Sequence, residues 1–149
     1  MVSNYIYGKI FTVFKHPACS YLLWIGFNPS NLSSNTFLEQ QQNMLKSLNI
    51  VMVALVSIAA IITLIAAYWE RTNTLACYTL LVAAACFICC ILISRFGNAP
   101  IQNEMLIWKT ENMPSNWTVL RDEWWKCHRL RTIAELIALM LISWVHIKK

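Results

Sequence analysis

Charge is scarce in this 149-residue chain: 13% of residues are charged and 58% are hydrophobic. A soluble domain carries about 25% charged and roughly 45–50% apolar residues. The shortage excludes an ordinary soluble domain, and the length holds one domain, not two. A cleavable leader is not expected either. The apolar stretch Tyr5 to Phe14 has no basic region before it, and Lys15-His16-Pro17 breaks it from the next apolar residues. No basic stretch interleaves with aromatics as a nucleic-acid site would, so no nucleic acid is expected as a partner. The net charge of +5 is read instead from its arrangement. The basic residues flank apolar runs, the pattern that orients membrane proteins. A disulfide framework is lacking too, despite six cysteines. Cys77, Cys86, Cys89 and Cys90 share one apolar run, and the last three share a helical face. That run holds no histidine or carboxylate to complete a metal shell, and cysteine in an apolar helix behaves as a small hydrophobe. No metal and no cofactor is expected.

What the chain has is long uncharged runs. Residues 47–69 and 72–94 carry no charge, and each is long enough to cross a ~30 Å hydrocarbon core at about 1.5 Å per residue. Only Glu70-Arg71 separates them, so they must form an antiparallel hairpin. Tyr68 and Trp69 sit where an interfacial aromatic belt belongs. Ala59, Thr63 and Ala67 form a stripe of small residues that lets another helix approach closely.

After Arg95, Gly97-Asn98-Ala99-Pro100 is predicted to end the helix. A loop or short interfacial helix comes next, with Trp108 as an anchor. Pro114-Ser115-Asn116 reads as a new helix start, with Ser115 or Asn116 as N-cap. Nothing breaks the pattern from Trp117 to about Ile147, roughly 46 Å of helix. Its first half is charged and aromatic, and its second half is apolar apart from Glu135 and His146. The membrane part is placed at 131–147, with the helix extended N-terminally from about 116. Residues 5–27 leave two alternatives, a kinked or short first span or an interfacial helix. The expected fold is all-α: a transmembrane four-helix bundle, a single integral membrane domain with three clear spans and a shortened first helix. Lys46, Arg95, Lys109, Arg121, Lys126, Arg129 and Arg131 fall on one side of the hairpin, and Arg71, Lys148 and Lys149 on the other. The 95–131 region is therefore expected on the cytoplasmic side, or the matrix or stromal side in an organelle.

At 100° per residue, Trp117, Arg121, Trp124, Trp125, His128, Arg131, Thr132 and Glu135 fall on one broad stripe of the last helix. Asp122, Glu123, Lys126 and Arg129 fall away from it, with Asp122 able to pair with Lys126. Ionisable groups running into a membrane are costly and face a bundle interior or a water-filled cavity. Arg131 and Glu135 are spaced to pair, and His128, one turn before Arg131, is placed to act as a general base. The simpler alternative is anchoring: a neutralised ion pair, a histidine bonded to backbone and belt tryptophans. Asn98, Gln102 and Asn103 lie on the same membrane side as the start of this helix, where their amides could reach the stripe, or could simply cap a helix end. His16-Pro17 is a third candidate, with a helix kink as its structural alternative.

These residues carry a resemblance. Gly97-Asn98-Ala99-Pro100-Ile101, and then Trp117, Arg121, Trp124, His128 and Arg131-Thr132, resembles the signature of the anthrone oxygenase-like family of small four-helix membrane proteins. That family has Gly-Asn-x-Pro-[Leu/Ile]-Asn after its third helix, then a Trp-rich segment and [His/Asn]-x-x-Arg-Thr entering the fourth. The likeness covers roughly residues 37–147. Gln102 stands where the family usually has Asn, with Asn103 next to it. Lys15 and Cys19 flank His16-Pro17-Ala18 where relatives often have Glu and Arg.

The resemblance implies a four-helix fold and, from its few characterised members, cofactor-independent oxidation of an anthrone to an anthraquinone by O₂. On that reading His128 is the base, Arg131 stabilises the anion and Glu135 orients or charge-balances them. Asn98, Asn103, Trp124 and Arg121 contact the substrate. Most members have no demonstrated activity, and fold does not fix function. The first reading is therefore a small polytopic membrane protein without an assigned catalytic role, a structural or accessory subunit of a membrane complex or a homo-oligomer. The alternative is the oxygenase acting on a lipophilic aromatic. The lipid bilayer is a partner under both.

Overall fold

The computed structural model describes residues 28–148. The first helix expected at 5–27, and His16-Pro17 with it, lie outside them. The described chain is all-α, and three of its helices are long and apolar enough to cross a membrane.

After a 3₁₀ turn at Pro29–Asn31, helix α1 spans Ser34–Trp69, 36 residues. Ser33 starts it, its hydroxyl accepting the Thr36 N–H at 3.4 Å. No glycine or proline interrupts it, so the polar segment 37–48 continues into the apolar run as one helix. The chain reverses at once. The Asn73 side chain accepts the Ala76 N–H at 3.2 Å and caps α2, Thr74–Ile93.

The predicted helix end at Gly97 to Pro100 does not occur. Residues Ser94–Asn98 form a π-helical turn in which the Ala99 N–H donates to the Ser94 carbonyl, and α3 continues directly at Ala99–Ile107. Proline has no N–H and its ring crowds the carbonyl four residues back. Widening the turn before Pro100 absorbs both defects without breaking the rod. The rod stops at Trp108, whose backbone is extended. Gln42 of α1 donates its amide to the carbonyls of Met105 and Trp108, both at 2.9 Å, which satisfies orphan acceptors at that helix end. Helix α4 spans Trp117–Ile147, with Asn116 at the N-cap position but making no side-chain capping bond.

Two cores hold these elements. One joins α1, α2 and α4 through Ala59, Ala60, Ala66, Ala67, Ala76, Leu80, Ala83, Phe87, Ala138, Ile142 and Val145. Ala59, Thr63 and Ala67 are all buried in it, so the small-residue stripe is a helix-packing face. The second joins Phe37, Leu38 and Leu45 of α1 to Ile101 and Met105 of α3, Trp108, and Trp124 of α4. Trp108 is buried there and anchors a core, not the membrane surface. Large apolar side chains such as Leu55, Ile61, Val82 and Met140 point outward, as lipid contact requires. The three apolar helices fit an integral membrane protein.

Candidate functional site

Between the two cores, α2 and its π turn run antiparallel to α4, and polar side chains meet across the seam. Cys90 donates its thiol to Glu135 Oε1 at 3.0 Å. One turn further along α2, Ser94 Oγ accepts from Arg131 Nη1 at 3.3 Å. One turn further again, Gly97 lies so close to α4 that a Cβ there would stand 2.8 Å from Cys127 Sγ. This register brings Asn98 to the level of Cys127 and His128.

Asn98 is 1% exposed, and neither its amide nitrogen nor its amide oxygen has a hydrogen-bond partner. His128 Nδ1, Trp124 Nε1 and Arg131 Nε are likewise buried without partners. The His128 ring stacks nearly parallel on Trp124, with centroids 5.3 Å apart, and on Trp125 at 5.4 Å. Thr132 donates its hydroxyl to the His128 carbonyl at 2.9 Å. An unpaired buried polar group costs about 1–3 kcal/mol, and native proteins keep few of them. Four residues, three on α4 and Asn98 in the π turn, thus keep hydrogen-bonding capacity that no protein group meets.

Of the other sequence-predicted residues, Glu135 lies in the seam, bonded to Cys90, and Arg121 and Asn103 fall elsewhere. Arg121 is buried but bound to its neighbour: its Nη2 and Nε both lie 2.8 Å from Asp122 Oδ1, and its guanidinium lies 5.2 Å from the Trp117 ring centroid. Asp122 thus pairs with Arg121, not with Lys126. Asn103 is exposed. Because the helix continues past Pro100, Asn103 lies about 140° around it from Asn98, whereas Gln102 lies about 40° away and is half-buried. Arg131 and Glu135 turn to α2 side chains and not to each other. Sequence reasoning takes Cys90 as a small hydrophobe, where the structure has it donating to Glu135, and does not reach Ser94. The one usable sign is that a carboxylate in an apolar span needs a donor, and α2 offers few.

Two surface grooves among the described residues lie away from this seam. One of about 730 Å³ is lined by Leu32, Thr36, Glu39, Gln42 and Lys46 among others. The second, of about 600 Å³, runs from Asn35 to Trp108 and Glu111.

The sequence model of the anthrone oxygenase family matches residues 41–141, a stretch that includes Asn98, Trp124, His128, Arg131 and Glu135. The chain belongs to the anthrone oxygenase family. No curated protein and no solved structure matches it. Among the described residues, the buried side-chain polar atoms without partners, on Asn98, Trp124, His128 and Arg131, all lie within the matched region.

Proposed function

We propose that this anthrone oxygenase family member is a cofactor-independent oxygenase that oxidises an anthrone-like polycyclic aromatic with O₂. The observation that supports it is the group of unpartnered buried polar atoms on Asn98, Trp124, His128 and Arg131. A flat molecule bearing a carbonyl and phenolic oxygens supplies the partners they lack.

The chemistry asks little of the protein. The methylene carbon of an anthrone is acidic because its anion is delocalised through the ring system. His128 accepts that proton, Arg131 stabilises the negative charge and Glu135 balances the cation. Asn98 hydrogen-bonds a ring oxygen, and Trp124 offers an aromatic wall. The anion transfers electrons to O₂, a C–O bond forms, and the resulting hydroperoxide loses water. Anthrone and O₂ give anthraquinone and H₂O, so both oxygen atoms and all four electrons are accounted for. Arg121, held by Asp122, and the exposed Asn103 take no part.

Oxygen uptake by purified protein with a hydroxylated anthrone tests this, counted as the excess over heat-treated protein because anthrones oxidise slowly unaided. His128→Gln is expected to remove about 100-fold or more of that excess. Full activity in this variant would remove His128 as the base.

A second reading has its own support. The His128 ring already packs on two indoles of its own helix, as a purely structural side chain would. A structural or accessory subunit fits that stack, and no excess uptake together with a co-purifying membrane partner would favour it. Under either reading, the excess of basic residues puts the 95–131 side in the cytoplasm, or in the matrix or stroma of an organelle. A reporter fused at residue 110 is expected to read out on that side, and activity on the opposite side would reverse the orientation.

A further inference from the structure

Two side chains outside the proposed catalytic set, one on α2 and one in its π turn, hold its charged members. Cys90, 1% exposed, donates to Glu135, and Ser94 accepts from Arg131. Cys90 on α2 and Ser94 at the start of its π turn are one turn apart, Arg131 and Glu135 are one turn apart on α4, and the two bonds are successive rungs across an antiparallel pair. Arg131 and Glu135 are spaced four residues apart, where opposite charges attract along a helix. In apolar surroundings that attraction is much stronger than in water. Both nonetheless bond to the facing helix, and Arg131 Nε stays buried and unpartnered.

We infer that Cys90 and Ser94 are positioning residues that keep Glu135 and Arg131 apart, so that the guanidinium remains free to hold a planar aromatic anion. The anion class rests on the oxygenase reading above; the separation of the two charges rests on the rungs themselves. Without the Cys90 thiol, the Glu135 carboxylate is free to swing back one turn onto Arg131. The intrahelical pair then closes and the attraction for an anion falls. Removing the carboxylate's charge as well leaves nothing to close the pair, so a second substitution at Glu135 reverses the loss at Cys90. A merely structural role for Cys90 gives no such reversal.

The test uses the full chain purified in detergent. Anthraquinone-2-carboxylate and neutral anthraquinone are titrated separately while tryptophan fluorescence is monitored, and the ratio of the two affinities measures preference for the anion. Wild type is expected to prefer the anion. Cys90→Ala and Ser94→Ala are each expected to lower that preference roughly tenfold, the effect of one charge-assisted hydrogen bond. Cys90→Ser keeps it, and Cys90→Ala/Glu135→Gln regains it. If the alanine variant does not fold, Cys90→Val, which leaves no cavity and donates no hydrogen bond, takes its place. Absence of anion preference in wild type, an unchanged preference in Cys90→Ala, or no recovery in the double variant would each overturn the inference. Oxygen uptake on the same samples separates the two proposals. The preference pattern without uptake supports the charge separation and rejects the oxygenase, and uptake without the pattern does the reverse.

Discussion

Where α1, α2 and α4 meet along their apolar runs, seven of the eleven buried core residues are alanines. Where α1 meets α3 and the start of α4, the buried residues are rings, leucine, isoleucine and methionine, with no alanine at all. The difference fits the hydropathy of the two regions. Lipid tails are as apolar as leucine, so helices within a bilayer gain from close backbone approach, which small residues allow. Outside the apolar runs, water drives large side chains together, and aromatic pairs such as Phe37 with Trp117 and Trp124 add to that burial. Between these regions lies the α2–α4 seam, which obeys neither rule and keeps polar atoms unpaired.

The contrast breaks most severely in the alanine core. Ala83 is 0% exposed, and Ala83→Leu is expected to cost about 1–3 kcal/mol through overpacking, read as a drop in the thermal midpoint in detergent. Two residues on, Ala85 is exposed, and Ala85→Leu is expected within about 0.5 kcal/mol of wild type. Equal losses at both positions would mean that α2 has no lipid-facing side there. A smaller effect, on the order of 1 kcal/mol, is expected for Gly97→Ala at the seam, where the new Cβ meets Cys127 Sγ. Cys127→Ala in the same chain should recover most of it, because the clash is with a side chain. No recovery would place the strain in the backbone of the π turn.

Much of the membrane architecture is legible in the sequence. Uncharged runs, the two-residue link at Glu70-Arg71 and the small-residue stripe through Thr63 are local signals, and they imply α1, α2 and α4. Family membership is legible too, because its motifs at 97–101 and 117–132 are contiguous patterns. The continuation through Pro100 is not, since a Gly and a Pro so close together usually stop a helix and only a π turn lets this one proceed. That same turn decides that Gln102, not Asn103, shares a side with Asn98. The partners of Arg131 and Glu135 are hidden for another reason. Spacing along α4 predicts that they pair with each other, while their bonds to Ser94 and Cys90 depend on the register between two helices, which no single sequence states. Arg121 sits on the expected stripe but is captured by its neighbour Asp122, a contact that periodicity does not reveal.

The one substitution expected to raise stability carries the most meaning. If the polar atoms of the seam are kept for a ligand, removing one should relieve the free protein and harm its function. Asn98→Leu replaces two unpaired polar atoms with apolar ones of similar shape. The measurement is the thermal midpoint of this variant, without ligand, beside its oxygen uptake with a hydroxylated anthrone. The midpoint should rise, by about 1 kcal/mol of stability, while uptake falls at least roughly tenfold. A midpoint that falls together with uptake would contradict this, and would make Asn98 a structural residue of the α2–α4 seam.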